Sequence, residues 1–566
     1  MTPIARARAY LGPLVPQASD YRDVPRTWRG DLLAGLTVGI VALPLALAFG
    51  VSSGAGAEAG LITAIVAGVV AAVFGGSHVQ VSGPTGAMVV VLGPIVATHG
   101  AAAIALVSIM AGLVVLLVGL LKLGRTVSSI PWPVIEGFTL GIAVIIFLQQ
   151  VPSAVGVTTP YGENAVLAAV HAVGIAAAPT VLWTLSSAAV VAIVMIGAAR
   201  VHQKIPGSII GIVVVTLACA LTQAPVARIG ALPHALPPPG LPPADPVLIM
   251  NLVAAALTVA ALAAIESLLS AEVAATISDT GPFDADRELV GQGLASVAAG
   301  LFGGMPATGA IARTAVNLRS GGRSRIAAVV HALVLLGVVL IGTGVVSQVP
   351  LAALSGVLMV TAYRMVQREA VRSVLSSSRS GAATFVLTAV ITVSFDLVVA
   401  VGIGIGFAAL FALRALAKSS GVHREEVAGP ADPADGRIAI FRLDGALFFG
   451  AADRLLERVL SIDQVEVVIL RLSQLQIMDV TGARVIAEVV RTLERRDITV
   501  LLKGIQAQHL TMIARTGGLD ALAHESHLFD ELPAAVEHAR AHVHRDDQVT
   551  GPICGRTADR AQPTLT

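Results

Sequence analysis

The chain of 566 residues is 55% hydrophobic and only 13% charged, with a formal net charge of +1 and a mean hydropathy of +0.82. A soluble globular protein carries roughly 25% charged residues, so most of this length is excluded from being an ordinary soluble domain, and so even a charge balance gives no argument for nucleic acid as a partner. The two cysteines, Cys219 and Cys554, lie far apart in regions of different character and suggest neither a disulfide framework nor a metal site.

Residues 1–29 form a polar arm with five arginines and no apolar core, so no cleavable signal is expected. Apolar spans follow at 30–50, broken at Pro44, and at 59–75, 84–98, 102–121, 133–151, 180–199 and 206–223. A Pro-rich loop at 224–246 divides the chain, and further spans lie at 248–275, 288–302, 307–318, 325–345, 349–363, 381–395 and 397–416. The pattern predicts a polytopic α-helical membrane protein, with fourteen segments in a seven-plus-seven repeat over residues 30–416. The spans at 84–98 and 307–318 are too short to cross a bilayer of about 30 Å as helices.

Positive charge sets the expected orientation. The arm, Lys122/Arg125, Arg200/Lys204, Arg319/Arg323/Arg325, Arg364/Arg368/Arg372/Arg379 and Arg414/Lys418 fall on one side. Both termini are then cytoplasmic, in a multi-pass protein of the plasma membrane. The loop with Asp279, Asp284, Asp286, Arg287 and Glu288 is acidic on that same side, but acidic residues weigh little in this rule. After Lys418 the composition turns polar. Residues 417–436 read as a linker carrying Gly429, Pro430, Asp432 and Pro433. Period-two runs at 437–443, 466–471 and 498–503 alternate with helical patterns at 451–461, 480–496 and 505–516. They predict a small α/β domain over 437–545, followed by a disordered tail, 546–566.

Two stretches interrupt the apolar pattern. Phe302-Gly303-Gly304-Met305-Pro306-Ala307-Thr308-Gly309-Ala310 leads into Arg313, and Phe74-Gly75-Gly76 leads to Pro84-Thr85-Gly86-Ala87. Gly and Pro break regular helices, and broken helices at membrane depth belong where they face protein or a water-filled cavity. Matching interruptions in the two halves point to the site of an inverted-repeat transporter. A helix restarting near Thr308 offers backbone N–H groups and the positive end of its dipole to an anion. Arg313, about one and a half turns further in, adds a permanent charge. Thr85, Gly86, Ala87, Thr308, Gly309, Ala310 and Arg313 are the expected substrate-binding residues.

Glu266 lies deep in the span 248–275, where a carboxylate is expensive and points to function, either in proton exchange or in an ion pair with Arg313. Ser270 shares its helix face. Both are expected at the coupling-ion site. Glu272, near the span's end, is expected to snorkel, and Asp396 and Glu136 to sit at interfaces. Gly402, Gly404 and Gly406 suit close helix packing better than nucleotide binding, which needs a soluble βαβ unit. The thirteen histidines show no ligand spacing. With no nucleophile–base constellation, an enzyme is not expected, nor a cofactor or metal.

These residues resemble the SulP family of anion transporters over about 30–540. Arg29-Gly30-Asp31, Ala34-Gly35-Leu36-Thr37 and Leu43-Pro44 look like its first helix, Ser82-Gly83-Pro84-Thr85-Gly86 like its third and the Arg313 stretch like its tenth. The α/β domain looks like a STAS domain. The resemblance implies an inverted-repeat fold with core and gate parts moving past each other, a cytoplasmic STAS domain and a homodimer. The run from Leu43 to Gly60 is similar to the bicarbonate-transporting branch, with Leu45 where sulfate transporters carry Gln. The Glu266 and Arg313 positions are instead similar to proton-coupled sulfate transporters and anion exchangers, which argues against sodium coupling. STAS regulators that are phosphorylated carry Asp-Ser-Ser-Gly, whereas this chain has Asp479-Val480-Thr481-Gly482, so a phosphoswitch is not expected. The resulting expectation is proton-coupled sulfate uptake by an elevator-type movement. Bicarbonate transport, an uncoupled anion channel or exchanger, and a STAS-based membrane regulator are the alternatives.

Overall fold

The computed structural model describes residues 10, 12–127, 131–158, 164–202, 205–243, 245–394, 397–419, 421–427, 430–447, 459, 462 and 464–549. The expectations for Lys204, Asp396, Gly429, most of the helical pattern at 451–461 and the chain beyond 549 fall outside these residues. The chain divides into two compact units between Ala408 and Ala409.

In the first unit each apolar span becomes a helix. These are α1 (Val24–Ser52), α2 (Ala57–Phe74), α3 (Gly86–His99), α4 (Ala103–Leu120), α5 (Trp132–Ala154), α6 (Ala165–Ile175), α7 (Ala178–Val201) and α8 (Gly207–Leu221). The second half gives α9 (Pro246–Ile277), α10 (Ala285–Leu301), α11 (Ile311–Arg319), α12 (Arg325–Ile341), α13 (Leu351–Met365), α14 (Arg368–Ser377), α15 (Arg379–Ser394) and α16 (Leu397–Ser419), the last crossing the unit boundary. Among the described residues six of these, α1, α2, α4, α5, α7 and α9, are long and apolar enough to cross a membrane. The short helices α6 and α14 have no counterpart among the expected spans.

The helices pack as two groups. In one, α10 and α9 lie on α4, while α12 lies on α1 and α2. In the other, α13 and α15 lie on α5, and α7 packs on α13 and α8. Helices in an apolar solvent associate by close backbone approach at small residues. Gly112 of α4 and Gly293 of α10 show this, since a Cβ on Gly112 would stand 2.7 Å from the Gly293 carbonyl oxygen. Of the three glycines in α16, Gly404 packs on Thr388 and Val134, while Gly402 and Gly406 meet open space.

Charges near the helix ends work inside the fold. Asp31, fully buried in α1, accepts from the N–H groups of Arg323 (2.7 Å) and Ser324 (3.0 Å) and from the Ser324 hydroxyl (2.6 Å), fixing the entry to α12. Arg325, expected as a loop charge, is instead 1% exposed and donates to the Ala72 carbonyl near the end of α2 (3.0 Å) and to that of Gly75 just beyond it (2.6 Å). Carbonyls at a helix end need such donors. The acidic loop is likewise spent on structure. Asp284 caps α10, Asp286 accepts from the Gly124 N–H, and Glu288 accepts from the N–H groups of Gly76 (2.8 Å) and Ser77 (3.0 Å). Arg287 donates to both oxygens of Asp20 in the arm, at 3.1 and 2.5 Å.

The second unit holds a five-stranded sheet in the order β3–β4–β5–β6–β7, made of Gly421–Glu425, Ile438–Leu447, Val467–Met478, Thr499–Lys503 and Leu528–Phe529. β3 is antiparallel to β4, and the remaining neighbours are parallel. Alternation along the strands sends Ala439, Phe441 and Leu443 to one face, with α17 (Val480–Glu494) and α18 (Ala507–Arg515). Ile438, Ile440, Val467 and Ile469 face α19 (Leu532–Val549) on the other. Two boundaries differ from expectation. The stretch read as a linker contains β3, an edge strand whose charged Arg424 and Glu425 hide its pairing in the sequence. The final helix runs to Val549, past the expected start of the tail at 546. Asp479 caps α17 by accepting from the Gly482 N–H at 2.7 Å, and Val480 beside it is exposed.

Candidate anion site between two broken helices

Both interrupted stretches fold into the same small device. Ser82–Gly83 forms β1 and Thr308–Gly309 forms β2, paired antiparallel with Ser82 opposite Gly309 and Gly83 opposite Thr308. Each strand leads within three residues into a helix, α3 or α11. The antiparallel ladder therefore puts the two helix starts at its opposite ends. The ladder is held from three sides. The Ala310 N–H donates to the Val81 carbonyl (2.9 Å), the Val81 N–H to the Thr314 hydroxyl (3.0 Å) and the Gly309 N–H to the Ser267 hydroxyl (3.1 Å). Gly309 is required here, because a Cβ would stand 1.6 Å from Gln80 Nε2. Gly83 has φ +152°, and a Cβ there would meet Arg313 Nη1 at 2.7 Å.

Glu266 in α9 joins the two repeats chemically. Its Oε2 accepts from the hydroxyl of Thr85 at 2.8 Å and from that of Thr308 at 3.0 Å, one from each interrupted stretch. The two hydroxyls are themselves 3.2 Å apart. Arg313 is 2% exposed. Its Nη2 donates to the Pro84 carbonyl at 2.6 Å, and its Nη1 is buried with no partner among the described residues. A buried guanidinium N–H without an acceptor is costly, and its fixed charge and fork geometry suit an anionic acceptor.

Four expectations need correction. The helix restarts at Ile311, not near Thr308, because the backbone at Thr308 and Gly309 is taken up by the ladder. The N–H groups of Gly309 and Ala310 are therefore already bonded, and the first-turn donors of α11 are those of Ile311, Ala312 and Arg313. Arg313 is the third residue of that helix and so lies within its first turn. Glu266 and Arg313 form no ion pair within 4.0 Å among the described residues. Glu266 is held by hydroxyls, and Arg313 serves the carbonyl that the Pro84 break leaves open.

The structure places the other named residues as follows. At the α3 start, Gly86 is closed in by Ile146 of α5 and Phe49 of α1, so the site lies where the two helix groups meet. Ala87 is buried behind it. Ser270 is 3.5 Å from the Thr314 hydroxyl, and Glu272 is exposed. Glu136 at the start of α5 accepts from Trp132 Nε1. The sequence reading missed Ser267, Thr314 and Gln80. Ser267 was visible in the run Glu-Ser-Leu-Leu-Ser, whereas Gln80 carries no local signal.

The profile of the sulfate permease family matches residues 28–388, and that of the STAS domain matches residues 430–535. YvdB of Bacillus subtilis, which carries a sulfate-transporter name, is 34% identical over 88% of this chain and 96% of its own. The bicarbonate transporter BicA of a Picosynechococcus strain is 30% identical over 85% of this chain and 90% of its own. The transmembrane domain of a cyanobacterial BicA superposes with a TM-score of 0.61 at 32% identity, covering 66% of this chain and 98% of that one. The overall structure of SLC26A9 superposes with a TM-score of 0.81 at 17% identity, over 97% of this chain and 96% of that one, a likeness of fold alone. A helical membrane fold with two matched broken helices, a profile over most of the chain and a relative similar along nearly its whole length lead to one conclusion: the chain belongs to the sulfate permease family of anion transporters, with a C-terminal STAS domain.

Proposed function

We propose that the protein is a proton-coupled importer of sulfate in the plasma membrane, with both termini cytoplasmic, working as a homodimer. The observation that carries this reading is that one site holds both Arg313, whose Nη1 is buried with no partner among the described residues, and Glu266, which accepts a hydroxyl from each interrupted stretch. The anion binds at Arg313 and at the first-turn N–H groups of α3 and α11. Thr85, Gly86, Ala87, Thr308, Gly309 and Ala310 shape that pocket. An anion there offsets the positive charge that favours ionised Glu266, so anion and proton bind together, a reciprocal linkage between coupled sites. The group carrying the site then moves against the α5, α7, α8, α13 and α15 group as an elevator. Ser270 supports the coupling site through Thr314.

Bicarbonate is the second reading, favoured by Leu45 after Pro44 and by the similarity to proteins named as bicarbonate transporters. The test is uptake of labelled sulfate and bicarbonate into proteoliposomes, with and without an inward proton gradient and with and without sodium. Sulfate accumulation that follows the proton gradient supports the first reading. Sodium-dependent bicarbonate uptake replaces it with the second, and equilibration without accumulation makes the protein a channel or exchanger.

A further inference from the structure

Three histidines meet in the STAS unit, away from the anion site. His527 ends the short turn before β7, while His538 and His542 stand one helical turn apart on one face of α19. One ligating nitrogen from each lies within 4.8 Å of the others. The ring centroids are 5.4 Å apart for His527 with His538, 5.4 Å for His527 with His542, and 4.9 Å for His538 with His542. This corrects the expectation that the histidines show no ligand spacing. The pair on α19 has it, and the fold supplies the third ring.

Two features single the cluster out from a surface gathering of imidazoles. His527 is 3% exposed, and its Nδ1 has no hydrogen-bond partner among the described residues. The Nε2 of His538 is likewise buried without a partner. A buried ring nitrogen left unsatisfied is costly, and the three rings pack edge to edge on one another, with Phe529 of β7 against His538 at 5.2 Å. We propose that His527, His538 and His542 form a binding site for one borderline divalent transition-metal ion of the Zn(II), Co(II) or Ni(II) class.

The donor set selects the metal. Neutral imidazole suits these ions, whereas calcium and magnesium take oxygen ligands. At a metal–nitrogen distance of about 2.0–2.1 Å the three nitrogens would lie roughly 3.3 Å apart. Closing the cluster therefore takes ring shifts of about an ångström. Three imidazoles leave a fourth tetrahedral position, for water or for His524, whose ring centroid is 6.1 Å from that of His527. The bound ion would clip the turn before β7 to the last helix, so it would raise the stability of this unit by binding only its folded form.

The test uses the full chain without a polyhistidine tag, purified in detergent and stripped with chelator. Titration with Co(II) should give the visible bands of tetrahedral cobalt, saturating at one ion per chain, and Zn(II) should displace them. His538→Gln and His527→Gln should each weaken Co(II) binding at least about a hundredfold, since even residues behind the ligands cost ten- to a hundredfold. His524→Gln separates the two versions of the fourth ligand: loss of affinity assigns it to His524, and no change assigns it to water. Zn(II) should also raise the melting temperature of wild type but not of the variants, whose metal-free melting curves report that they fold. Absence of stoichiometric Co(II) and Zn(II) binding by wild type, or undiminished binding by the folded His527→Gln and His538→Gln proteins, overturns the site.

Discussion

Arg313→Ala tests the anion site most directly, because the two halves of the guanidinium do different work. Nη2 holds the Pro84 carbonyl at 2.6 Å, and Nη1, which the proposed function assigns to the anion, has no partner among the described residues. Removing Nη1 deletes a charge-assisted hydrogen bond worth about 1.5–3 kcal/mol. The Kd for sulfate should therefore rise roughly tenfold to a hundredfold. Removing Nη2 strands a buried carbonyl, at a cost of about 1–3 kcal/mol in stability. Asn317→Ala separates the two effects. Asn317 lies one turn further along the same helix, and its Nδ2 donates to the Val79 carbonyl at 2.8 Å. It should lose comparable stability while keeping sulfate affinity. Arg313→Lys should fall between, since a single ammonium lacks the fork that serves carbonyl and anion together. Binding of labelled sulfate to purified protein, with melting temperatures on the same samples, gives both quantities. If folded Arg313→Ala binds within twofold of wild type, or if Asn317→Ala loses binding equally, the assignment of Nη1 to the anion is wrong.

Other substitutions probe the coupling and the frame. Glu266→Gln keeps a group for the Thr85 and Thr308 hydroxyls but cannot release a proton. It should bind sulfate yet lose accumulation driven by an inward proton gradient, and strict sodium dependence with unimpaired pH-driven uptake would falsify that role. Gly309→Ala drives a methyl to 1.6 Å from Gln80 Nε2 and should cost about 1–3 kcal/mol, as overpacking does. The double variant with Gln80→Ala should recover part of that loss in thermal melts, and a purely additive pair would show that the contact is not the cause. Asp20 reports on the arm. Burial raises its carboxyl, but the hydrogen bond from Arg287 and that from the Gln17 N–H outweigh this and hold it at about 2. A depressed carboxylate stabilises the folded form above its unfolded value near 3.8 and loses that contribution as pH falls through about 2. Hydrogen-exchange protection factors over residues 12–23, taken relative to the intrinsic rate at each pH, should thus be high at neutral pH, fall between about pH 4 and pH 2, and already be low at pH 7 in Asp20→Asn. Equal protection in that variant would show that the arm is held by other contacts.

The interrupted stretches were legible because Gly and Pro write helix breaks directly into the sequence. Their extent was not. The helix starts at Ile311 because Ser267 and Val81, both distant in the chain, claim the N–H groups of Gly309 and Ala310. Distance hid the roles of the charges in the same way. Glu288 serves Gly76 across 212 residues, and Arg287 serves Asp20 across 267, so the loop reads as acidic although its charges are committed. β3 escaped notice because its side chains alternate no apolar face. The α19 histidines carried an i, i+4 spacing, but the third member comes from another element.

The two-residue ladder also bears on how the chain comes to be made. Pro84 and Arg313 are 229 residues apart, and Thr85 and Glu266 are separated by 181. During synthesis the first half enters the bilayer with β1 unpaired and the α3 start lacking its counterpart. Contacts of such long sequence separation form late, after the loop-closure entropy has been overcome. The ladder and the candidate site around it are thus completed only when both halves of the unit are present. Until the second broken segment is in place, the first one leaves the backbone groups of Ser82 and Gly83 without their ladder partners.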